Sequence, residues 1–378
     1  MLSKMVRVLV SGDFCPINRI ELLAKKGDYS RIFNDFISVL KRSDFNITNL
    51  ECPLFNGSRT ISKTGPSLKA DETSVKILKY GNFHLVTLAN NHVMDFGIDG
   101  LKSTLEICDR EKIATVGAGF NLQEARKIYF ITLNETRIAI LNITENEFST
   151  THNEEPGANP LNPVLNYYDI KEARNKADYV FVIIHGGHEG YHLPSPRMQE
   201  TYRFFIDAGA DIVVGHHTHC FSGYEKYKEG LIFYSLGNFV FDWKGMRNSD
   251  WNYGYAVNFT LLDEKITFEV IPYKQCDKNP GVLLLNNTEK QDFNSKLRKL
   301  NNILNNNESL LKEWKAFSKK NWNSSLIHFE CFSSRIYKSL RYRNLMPGFL
   351  SKRKKLILLN IIRCEAHRDL AMESLKNK

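Results

Sequence analysis

Five short motifs rich in carboxylate, carboxamide and imidazole side chains each follow an apolar run of strand length. In chain order they are Gly12-Asp13, Asn49-Leu50-Glu51, Asn90-Asn91-His92, His185-Gly186-Gly187-His188-Glu189 and Gly215-His216-His217-Thr218-His219. Ligands of α/β proteins bind beyond the carboxyl ends of the strands, so we expect the five motifs to face one cleft. Taken singly, Asp13 fits a turn, Asn91 fits a helix cap, and His92 fits an ordinary buried histidine. Their shared position after strands is what favours a functional site.

These residue types are typical of a metal centre. Imidazole nitrogens mixed with Asp, Glu and Asn oxygens suit borderline divalent ions such as Mn²⁺, Fe²⁺ or Zn²⁺. His217 and His219 strengthen this interpretation, because strand-end residues two positions apart can point at the same ion. Two ions about 3.5–4 Å apart can clamp a phosphoryl group and generate a hydroxide nucleophile near neutral pH. An imidazole that is not a ligand can protonate the leaving oxygen, so the motifs predict metal-assisted hydrolysis.

The elements that would position these motifs alternate between strands and helices. Continuous apolar runs predict buried strands at residues 6–10, 45–50, 85–89, 179–184 and 211–214. Apolar residues at helical spacing predict helices at residues 32–40, 74–79, 101–109 and 197–208. A further set of runs predicts a second, partly antiparallel sheet, at residues 127–133, 137–142, 231–234, 255–262 and 265–272. The alternation indicates an α/β fold.

Length and charge separate a main domain from a basic C-terminal region. The chain has 378 residues, of which 42% are apolar and 25% charged, which excludes a coiled coil, a disulfide-held mini-protein and a wholly disordered chain. Residues 289–378 hold 20 Lys and Arg against 8 Asp and Glu, a net charge of +12, whereas the first 288 residues carry −3. We predict a main domain at residues 1–280 and a mainly helical region at 281–378. Such a basic segment can bind nucleic acid, anionic lipid or an acidic polymer, and charge alone does not choose between them.

Cysteine usage and hydropathy predict the compartment. The seven cysteines are widely spread and form no C-x-x-C pair, which fits reduced thiols better than a secreted disulfide framework. The N-terminal apolar run is too short for a signal peptide, and no stretch approaches the about 20 apolar residues that span a bilayer. We therefore expect a cytoplasmic protein without a transmembrane segment, peripheral to a membrane at most.

The order of the motifs resembles the CapA family of poly-γ-glutamate capsule biosynthesis proteins. The matching runs are GD at 12–13, NLE at 49–51, LANNHVMDFG at 88–97, HGGHE at 185–189, DAGADIVVGHHTH at 207–219 and YSLGNFVFD at 234–242. The resemblance covers about residues 5–275 and leaves the helical C-terminal region outside. It implies the fold of calcineurin-like metallophosphoesterases, a four-layer αββα sandwich with a metal site at the sheet edges.

The resemblance also implies a role for individual residues. Asp13 and His219 would hold one metal, and Glu51 would bridge to a second metal held by Asn91, His185 and His217. His92 takes the place of the general acid, with a metal-bound hydroxide as the nucleophile. Cys15 stands where the wider phosphoesterase pattern has a histidine ligand, so the first site is expected to be poor in ligands and the chain to bind one or two ions. Ser235, Asn238 and Asp242 belong to the last motif and would shape the cleft floor, although Asn238 and Asp242 fit turn positions equally well.

Three further residues are candidate substrate contacts. The guanidinium of Arg19 offers paired donors to a phosphate or carboxylate, although an exposed surface arginine explains it as well. His188 and Glu189 follow a predicted metal ligand and can reach the substrate. Alternatively, Glu189 can accept a proton from a metal-bound imidazole and fix its tautomer.

Two functions of different classes follow from these observations. The first is a metal-dependent hydrolase that acts on an anionic or phosphorylated substrate, including a polymer, during capsule production. The second is a non-catalytic assembly component that binds the polymer or its synthase at the membrane surface. The second interpretation rests on Lys352-Arg353-Lys354-Lys355 and the apolar residues 356–362, which together could lie on an anionic leaflet. We expect no nucleic-acid partner, because the sequence contains no zinc-finger, helix-turn-helix or RNP pattern.

Overall fold

Strands and helices alternate along most of the chain, as the apolar pattern predicts. The structure is a computed structural model, and it describes residues 5–63, 65–321 and 334–363. The strands are β1 (Val6–Cys15), β2 (Phe45–Leu50), β3 (Leu85–Thr87), β4 (Ala114–Val116), β5 (Ala118–Gly119), β6 (Tyr129–Leu133), β7 (Thr136–Thr144), β8 (Gly157–Ala158), β9 (Tyr179–His185), β10 (Ile212–His216), β11 (Tyr224–Tyr227), β12 (Gly230–Phe233), β13 (Asn238–Phe241), β14 (Tyr253–Leu262), β15 (Lys265–Gln275) and β16 (Val282–Leu284). The α-helices are α1 (Arg19–Lys25), α2 (Ser30–Phe33), α3 (Ile37–Leu40), α4 (Val75–Tyr80), α5 (Gly97–Arg110), α6 (Leu122–Ala125), α7 (Pro163–Lys176), α8 (Pro196–Ala208), α9 (Asn287–Leu304), α10 (Asn307–Lys320), α11 (Arg335–Tyr342) and α12 (Lys352–Arg363).

The strands form two large sheets and one small one. The first sheet has the order β16-β15-β14-β1-β2-β3-β4, with β13 also paired to β1, and the second has the order β11-β12-β10-β9-β7-β6. β5 pairs with β8 in the small sheet. In the first sheet β1 to β4 are parallel neighbours, and in the second β7, β9, β10 and β12 are parallel neighbours. The carboxyl ends of the parallel strands therefore lie at one edge of each sheet.

Aromatic side chains fill the space between the two large sheets. Phe259 of the first sheet contacts Phe181 and Phe233 of the second, with ring centroids 5.5 and 5.4 Å apart, and all three are fully buried. A second buried cluster lies on the outer face of the first sheet, where Phe33 of α2 contacts Phe239 of β13. α7 and α8 cover the outer face of the second sheet. The layers follow the order helix, sheet, sheet, helix, which confirms the predicted four-layer α/β sandwich.

Local sequence explains the bounds of the elements that carry the motifs. β9 is buried at every position, which is why its sequence is continuously apolar, YVFVII, up to the final His185. α8 begins after Ser195, whose hydroxyl accepts the backbone N–H of Met198 at 3.2 Å, and Pro196 occupies its first turn. It ends at Gly209, whose φ of 120° is rarely adopted by other residues.

Two details differ from the sequence-based expectations. Residues 32–40 do not form one helix, because Asn34 has a φ of 44° and a 3₁₀ turn at Asn34–Phe36 separates α2 from α3. The second set of predicted strands does not form a sheet of its own. Instead β6, β7 and β12 join the sheet of β9 and β10, whereas β14 and β15 extend the sheet of β1 to β3. Antiparallel strands thus lie on one side of the parallel strands in the first sheet and on both sides in the second.

Helix α9 belongs to the same compact unit as the sheets. That unit spans residues 1–311, and a second unit spans residues 312–378. On α9, the side-chain oxygen of Asn301 accepts the backbone N–H of Tyr224 at 2.9 Å. The ring of Phe293 lies 4.3 Å from that of Phe221, in the loop between β10 and β11. The first helix of the basic region is therefore tied to the second sheet, and the domain boundary at residue 280 stays a prediction.

The second unit is described from residue 312 to 321 and from 334 to 363. It contains the end of α10 together with α11 and α12. Among the described helices of both units, none combines the length and the apolar character needed to cross a membrane.

Replacing Phe233 with alanine should lower the free energy of unfolding by about 3–5 kcal/mol, because it removes a fully buried ring between the sheets. Phe148→Ala is the matched control, since the ring of Phe148 is 51% exposed, and we expect a loss below about 1 kcal/mol. Urea unfolding followed by circular dichroism measures both changes. Equal losses for the two variants would contradict this description of the core.

Candidate metal centre

Residues at the carboxyl ends of strands from both large sheets meet at one edge of the sandwich. Asp13 lies near the end of β1, Glu51 directly follows β2, and Asn91 follows β3. His185 is the last residue of β9, and His217 directly follows β10. The first three residues come from one sheet and the other two from its partner. The site therefore exists only because the two sheets are packed with these edges together.

Two groups of buried side chains could each hold a cation, and the groups share Glu51. One group is Asp13, Glu51 and His219, the other is Glu51, His185 and His217, and in each the candidate ligand atoms lie within 4.8 Å of one another. Glu51 Oε1 is 3.6 Å from Nε2 of His219 and 3.6 Å from Nε2 of His185. Asn91 Oδ1 lies 3.0 Å from Nε2 of His185 and so adjoins the second group. The structure thus brings together all six residues predicted as metal ligands, and their ligand roles stay a proposal.

The Glu51 carboxylate provides the test of whether a metal fits. Glu51 is fully buried, and within the described residues neither of its carboxylate oxygens has a hydrogen-bond partner. An ionised carboxylate buried without a partner costs several kcal/mol. A cation shared with the neighbouring imidazole nitrogens removes this cost, and mixed nitrogen and oxygen ligands suit borderline divalent ions. The residues present therefore fit a divalent metal ion.

Burial changes the acidity of the groups in this centre. It raises the pKa of Glu51 well above its usual value, and the nearby charge of Asp13 raises that pKa further. Burial lowers the pKa of His185 and of His219, which favours the neutral imidazole that binds metals. Burial alone would raise the pKa of Asp13, but the adjacent His216 holds that pKa well below its usual range. Without a bound ion, the centre penalises the charge of Glu51 and keeps both histidines neutral.

Two residues that sequence analysis did not select contact Asp13. Asn49 Nδ2 donates to Asp13 Oδ1 at 2.8 Å and lies 3.2 Å from Nδ1 of His185. His216 is buried, and its Nδ1 lies 3.0 Å from the same oxygen of Asp13. The other oxygen, Oδ2, accepts the backbone N–H of His217 at 3.1 Å. Asn49 belongs to the NLE motif and His216 to the GHHTH motif, so both lie in segments that the sequence marks as functional. Motif spacing alone does not tell which side chain of a motif faces an ion.

The turn after β10 has an uncommon backbone conformation. His217 has a φ of 88° and His219 a φ of 57°, values that cost a residue other than glycine about 1–3 kcal/mol each. Residues 235–238 pack on this turn, with Ser235 Oγ accepting the hydroxyl of Thr218 at 2.8 Å. The Trp251 ring lies 4.4 Å from the imidazole of His219. These contacts hold the histidine turn in place. They also show that the YSLGNFVFD motif, predicted to form the cleft floor, packs against this turn.

His92 belongs to a buried cluster with Asp95 and Lys63. Its Nδ1 lies 2.6 Å from Asp95 Oδ2 and 3.2 Å from Nζ of Lys63, and Lys63 also donates to Asp95 Oδ1. Asp95 accepts a further hydrogen bond from the backbone N–H of Leu68 at 2.7 Å. Asp95 thus fixes the orientation of the His92 ring through Nδ1. Sequence analysis selected His92 but not Asp95, although Asp95 lies in the same LANNHVMDFG motif.

Carboxylates lie on the exposed side of the histidine cluster. Glu147 Oε1 is 3.9 Å from Nε2 of His217, and the Glu147 side chain is 43% exposed. Glu189 is exposed, and its charge acts on both Glu51 and His219. His188 is half-buried, and burial lowers its pKa. Glu189 and His188 thus interact electrostatically with the cluster, and their contact with substrate stays a prediction, whereas Glu147 belongs to no motif that would have identified it.

Arg19 binds a different part of the molecule. Its Nε and Nη2 donate to the two carboxylate oxygens of Asp242 at 3.0 and 2.7 Å. The same guanidinium donates to the main-chain carbonyls of Cys276, Asp277 and Lys278. These bonds tie the start of α1 to the ends of β13 and β15. The structure thus gives Arg19 a structural role, and its predicted contact with substrate stays a prediction.

Fold and centre together define an α/β sandwich protein with a candidate two-metal site where the sheet edges meet. Residues 7–243 match the sequence model of the family described as bacterial capsule synthesis protein PGA_cap. The chain belongs to this family, which confirms the resemblance to CapA proteins seen in its motifs.

Named relatives support the same assignment. The chain is 34% identical over 279 residues to the capsule biosynthesis protein CapA of Bacillus anthracis, a match covering 71% of this chain and 67% of that protein. It is 36% identical over 245 residues to the PGA biosynthesis protein CapA of Bacillus subtilis (strain 168), a match covering 63% of this chain and 64% of that protein. The matched segments thus span about two thirds of the length of these relatives. Among solved structures, the chain is similar to a hypothetical protein from Thermus thermophilus, with a TM-score of 0.44, 16% identity and coverage of 71% of this chain and 99% of that one.

Replacing Arg19 with methionine should lower the free energy of unfolding by about 2–4 kcal/mol, because Asp242 is fully buried and, among the residues the structure describes, would keep Arg247 alone as an ion-pair partner. Arg31→Met is the matched control, since Arg31 is 64% exposed and pairs with Asp28 at 3.5 Å, and we expect a change below about 1 kcal/mol. Urea denaturation curves of both variants measure these changes in the free energy of unfolding. If Arg19→Met were as stable as the wild type, the structural role would be wrong.

Proposed function

We propose that this protein is a metal-dependent hydrolase of capsule or exopolymer production, of the poly-γ-glutamate type, acting on an anionic or phosphorylated substrate. The observation that carries the proposal is the buried Glu51 carboxylate, which has no hydrogen-bond partner in the part of the chain that the structure describes and belongs to both groups of candidate ligands. Membership of the capsule synthesis family and the similarity to two CapA proteins support the biological setting. We assign the hydrolase to residues 1–280 and an accessory role to residues 281–378.

The candidate ligands divide between two ions with Glu51 in common. Asp13 and His219 would hold one ion, and Asn91, His185 and His217 the other, with Mn²⁺, Fe²⁺ or Zn²⁺ as suitable metals. A bound divalent ion would supply Lewis-acid chemistry, polarising a phosphoryl oxygen and allowing a nucleophile to form near neutral pH. The lowered pKa values of buried His185 and His219 keep their imidazoles neutral, which leaves one nitrogen of each ring unprotonated for such an ion.

His92 is the proposed general acid, and Asp95 positions it. Since Asp95 Oδ2 accepts from Nδ1 of His92 at 2.6 Å, the opposite ring nitrogen, Nε2, is the one that can give a proton to a leaving oxygen. The carboxylate also stabilises the imidazolium form before the proton is given up. Lys63 offsets the charge of Asp95 within the same buried cluster. His188 and Glu189 are proposed to contact the substrate at the exposed side of the centre.

Purified protein should contain a divalent metal and, with added Mn²⁺, hydrolyse a generic phosphodiester. His217→Ala should lower metal affinity by more than about 100-fold, because it removes a direct ligand. His92→Asn should keep the metal and slow turnover by about 10²- to 10⁴-fold, because it removes only the proton donor. Metal analysis by mass spectrometry, isothermal titration with Mn²⁺ and a phosphodiester assay measure these effects.

His152→Ala is the control for both histidine variants, since His152 is exposed, and it should match the wild type. The hydrolase proposal fails if the wild-type protein neither binds metal nor turns over substrate. It also fails if His217→Ala behaves like His152→Ala.

A second candidate function is membrane-surface attachment by α12, favoured by the exposure of its apolar side chains. Leu356, Ile357, Leu359 and Ile362 are between 46% and 66% exposed, directly after four consecutive basic residues. Basic residues attract an anionic leaflet and adjacent apolar side chains can enter the headgroup region. This arrangement supports a peripheral component that brings the main domain to membrane-bound polymer or synthase.

Substituting Lys352, Arg353, Lys354 and Lys355 with serine in the full chain should greatly reduce sedimentation with phosphatidylserine vesicles. Each basic residue contributes about 1 kcal/mol at an anionic surface. The matched control replaces four exposed lysines of the first unit, Lys26, Lys41, Lys102 and Lys127, which changes the net charge equally. The attachment proposal is wrong if both quadruple variants sediment like the wild type, or if both lose binding to the same extent.

A further inference from the structure

We propose that Asn238 is a positioning residue for the metal centre: its side-chain oxygen sets the tautomer and orientation of His219, so that Nε2 of His219 faces Glu51 with a free lone pair. The inference rests on the proposed function, because it concerns a ligand of the proposed centre. It gives a specific role to Asn238 of the YSLGNFVFD motif, for which the sequence left a place at the cleft floor and a turn position equally open.

The orientation of the Asn238 amide is fixed by its neighbours. Nδ2 of Asn238 donates to the main-chain carbonyls of His219 and Trp251, both at 3.2 Å. A carbonyl accepts but cannot donate, so the atom facing these two oxygens must be the NH₂ group. The oxygen Oδ1 therefore points the other way, where it lies 2.9 Å from Nδ1 of His219.

This contact determines which nitrogen of His219 carries the proton. An amide oxygen only accepts, so Nδ1 of His219 must be the N–H donor, and in the neutral ring Nε2 is then unprotonated. Nε2 is the nitrogen that lies 3.6 Å from Glu51 Oε1. The proposed ligand atom is thus ready for an ion without a change of tautomer.

The backbone holds Asn238 in this place independently of the ring. Asn238 begins β13, where it stands opposite Asp13 of β1 in the parallel ladder, and the backbone N–H of Asp13 donates to the carbonyl of Gly237 at 3.0 Å. Asn238 itself is fully buried. It therefore connects two candidate ligands of one ion, Asp13 through the strand pairing and His219 through its side chain. It also bonds the carbonyl of His219, a residue held at positive φ.

Asn238→Ala should weaken Mn²⁺ binding by about 10- to 100-fold, the usual effect of removing a hydrogen-bond partner of a metal-binding histidine. Asn238→Asp keeps an acceptor for Nδ1–H and should bind Mn²⁺ within about tenfold of the wild type. The control is Asn252→Ala. Asn252 is equally buried and donates to the carbonyls of Gln275 and Cys276 at 3.0 and 3.3 Å, but its oxygen accepts from the backbone of Ser249 rather than from an imidazole. Asn252→Ala should keep wild-type affinity for Mn²⁺.

A second measurement needs neither a variant of Asn238 nor a metal. Nitrogen NMR of ¹⁵N-histidine-labelled, metal-free wild-type protein at about pH 7.5 should show His219 with Nδ1 protonated and Nε2 bare, the signal being assigned by its loss in His219→Gln. The inference is overturned if His219 carries its proton on Nε2, or if Asn238→Ala binds Mn²⁺ as tightly as Asn252→Ala. Should the wild type bind no metal at all, the proposed function fails, and the NMR result alone decides the role of Asn238.

Discussion

A fully buried carboxylate, with no hydrogen-bond partner among the described residues, is the constraint on which the rest of this molecule depends. Glu51 is enclosed where the edges of two sheets meet, and candidate ligands from both sheets lie close to its carboxylate. Desolvating a charge in this way is costly unless a counter-charge is supplied. A cation bound by Glu51 would supply that counter-charge, and the neutral imidazoles of His185 and His219 have electron pairs to share with it.

The scaffold supplies this geometry by joining strand ends that are far apart in the chain. β1 carries Asp13 and pairs with β2, β13 and β14, so it fixes the first sheet's contribution through three strands. In the second sheet, β9 and β10 stand in parallel register, with His185 opposite His216. The strained turn at His217 and His219 then directs two imidazoles back toward the first sheet. Precision at the site thus comes from strand pairing, with the turn residues held by the contacts of residues 235–238.

Much of this arrangement could be predicted because it leaves a local trace in the sequence. A strand buried on both faces, such as β9, is continuously apolar, and a polar motif directly after such a run marks a strand end at the rim. The prediction of one helix over residues 32–40 was wrong, because the positive φ of Asn34 leaves no trace in the hydropathy pattern. The strands were assigned to the wrong sheets because pairing partners are chosen by tertiary packing. The partners of Arg19 lie more than 220 residues away in the chain, and Glu147 belongs to no motif, so neither contact could be read from spacing.

Helix α9 shows that a family boundary and a folding boundary need not coincide. The family match ends at residue 243, yet Phe293 packs on Phe221, only two positions beyond His219. Asn301 also accepts the backbone N–H of Tyr224, the first residue of β11. Anyone who trims the gene to the family match would remove β14 and β15 as well as α9, expose Phe221 and leave that amide without its acceptor. The shortened protein would lose the support behind the histidine turn, and an inactive product would then say nothing about the chemistry of the intact protein.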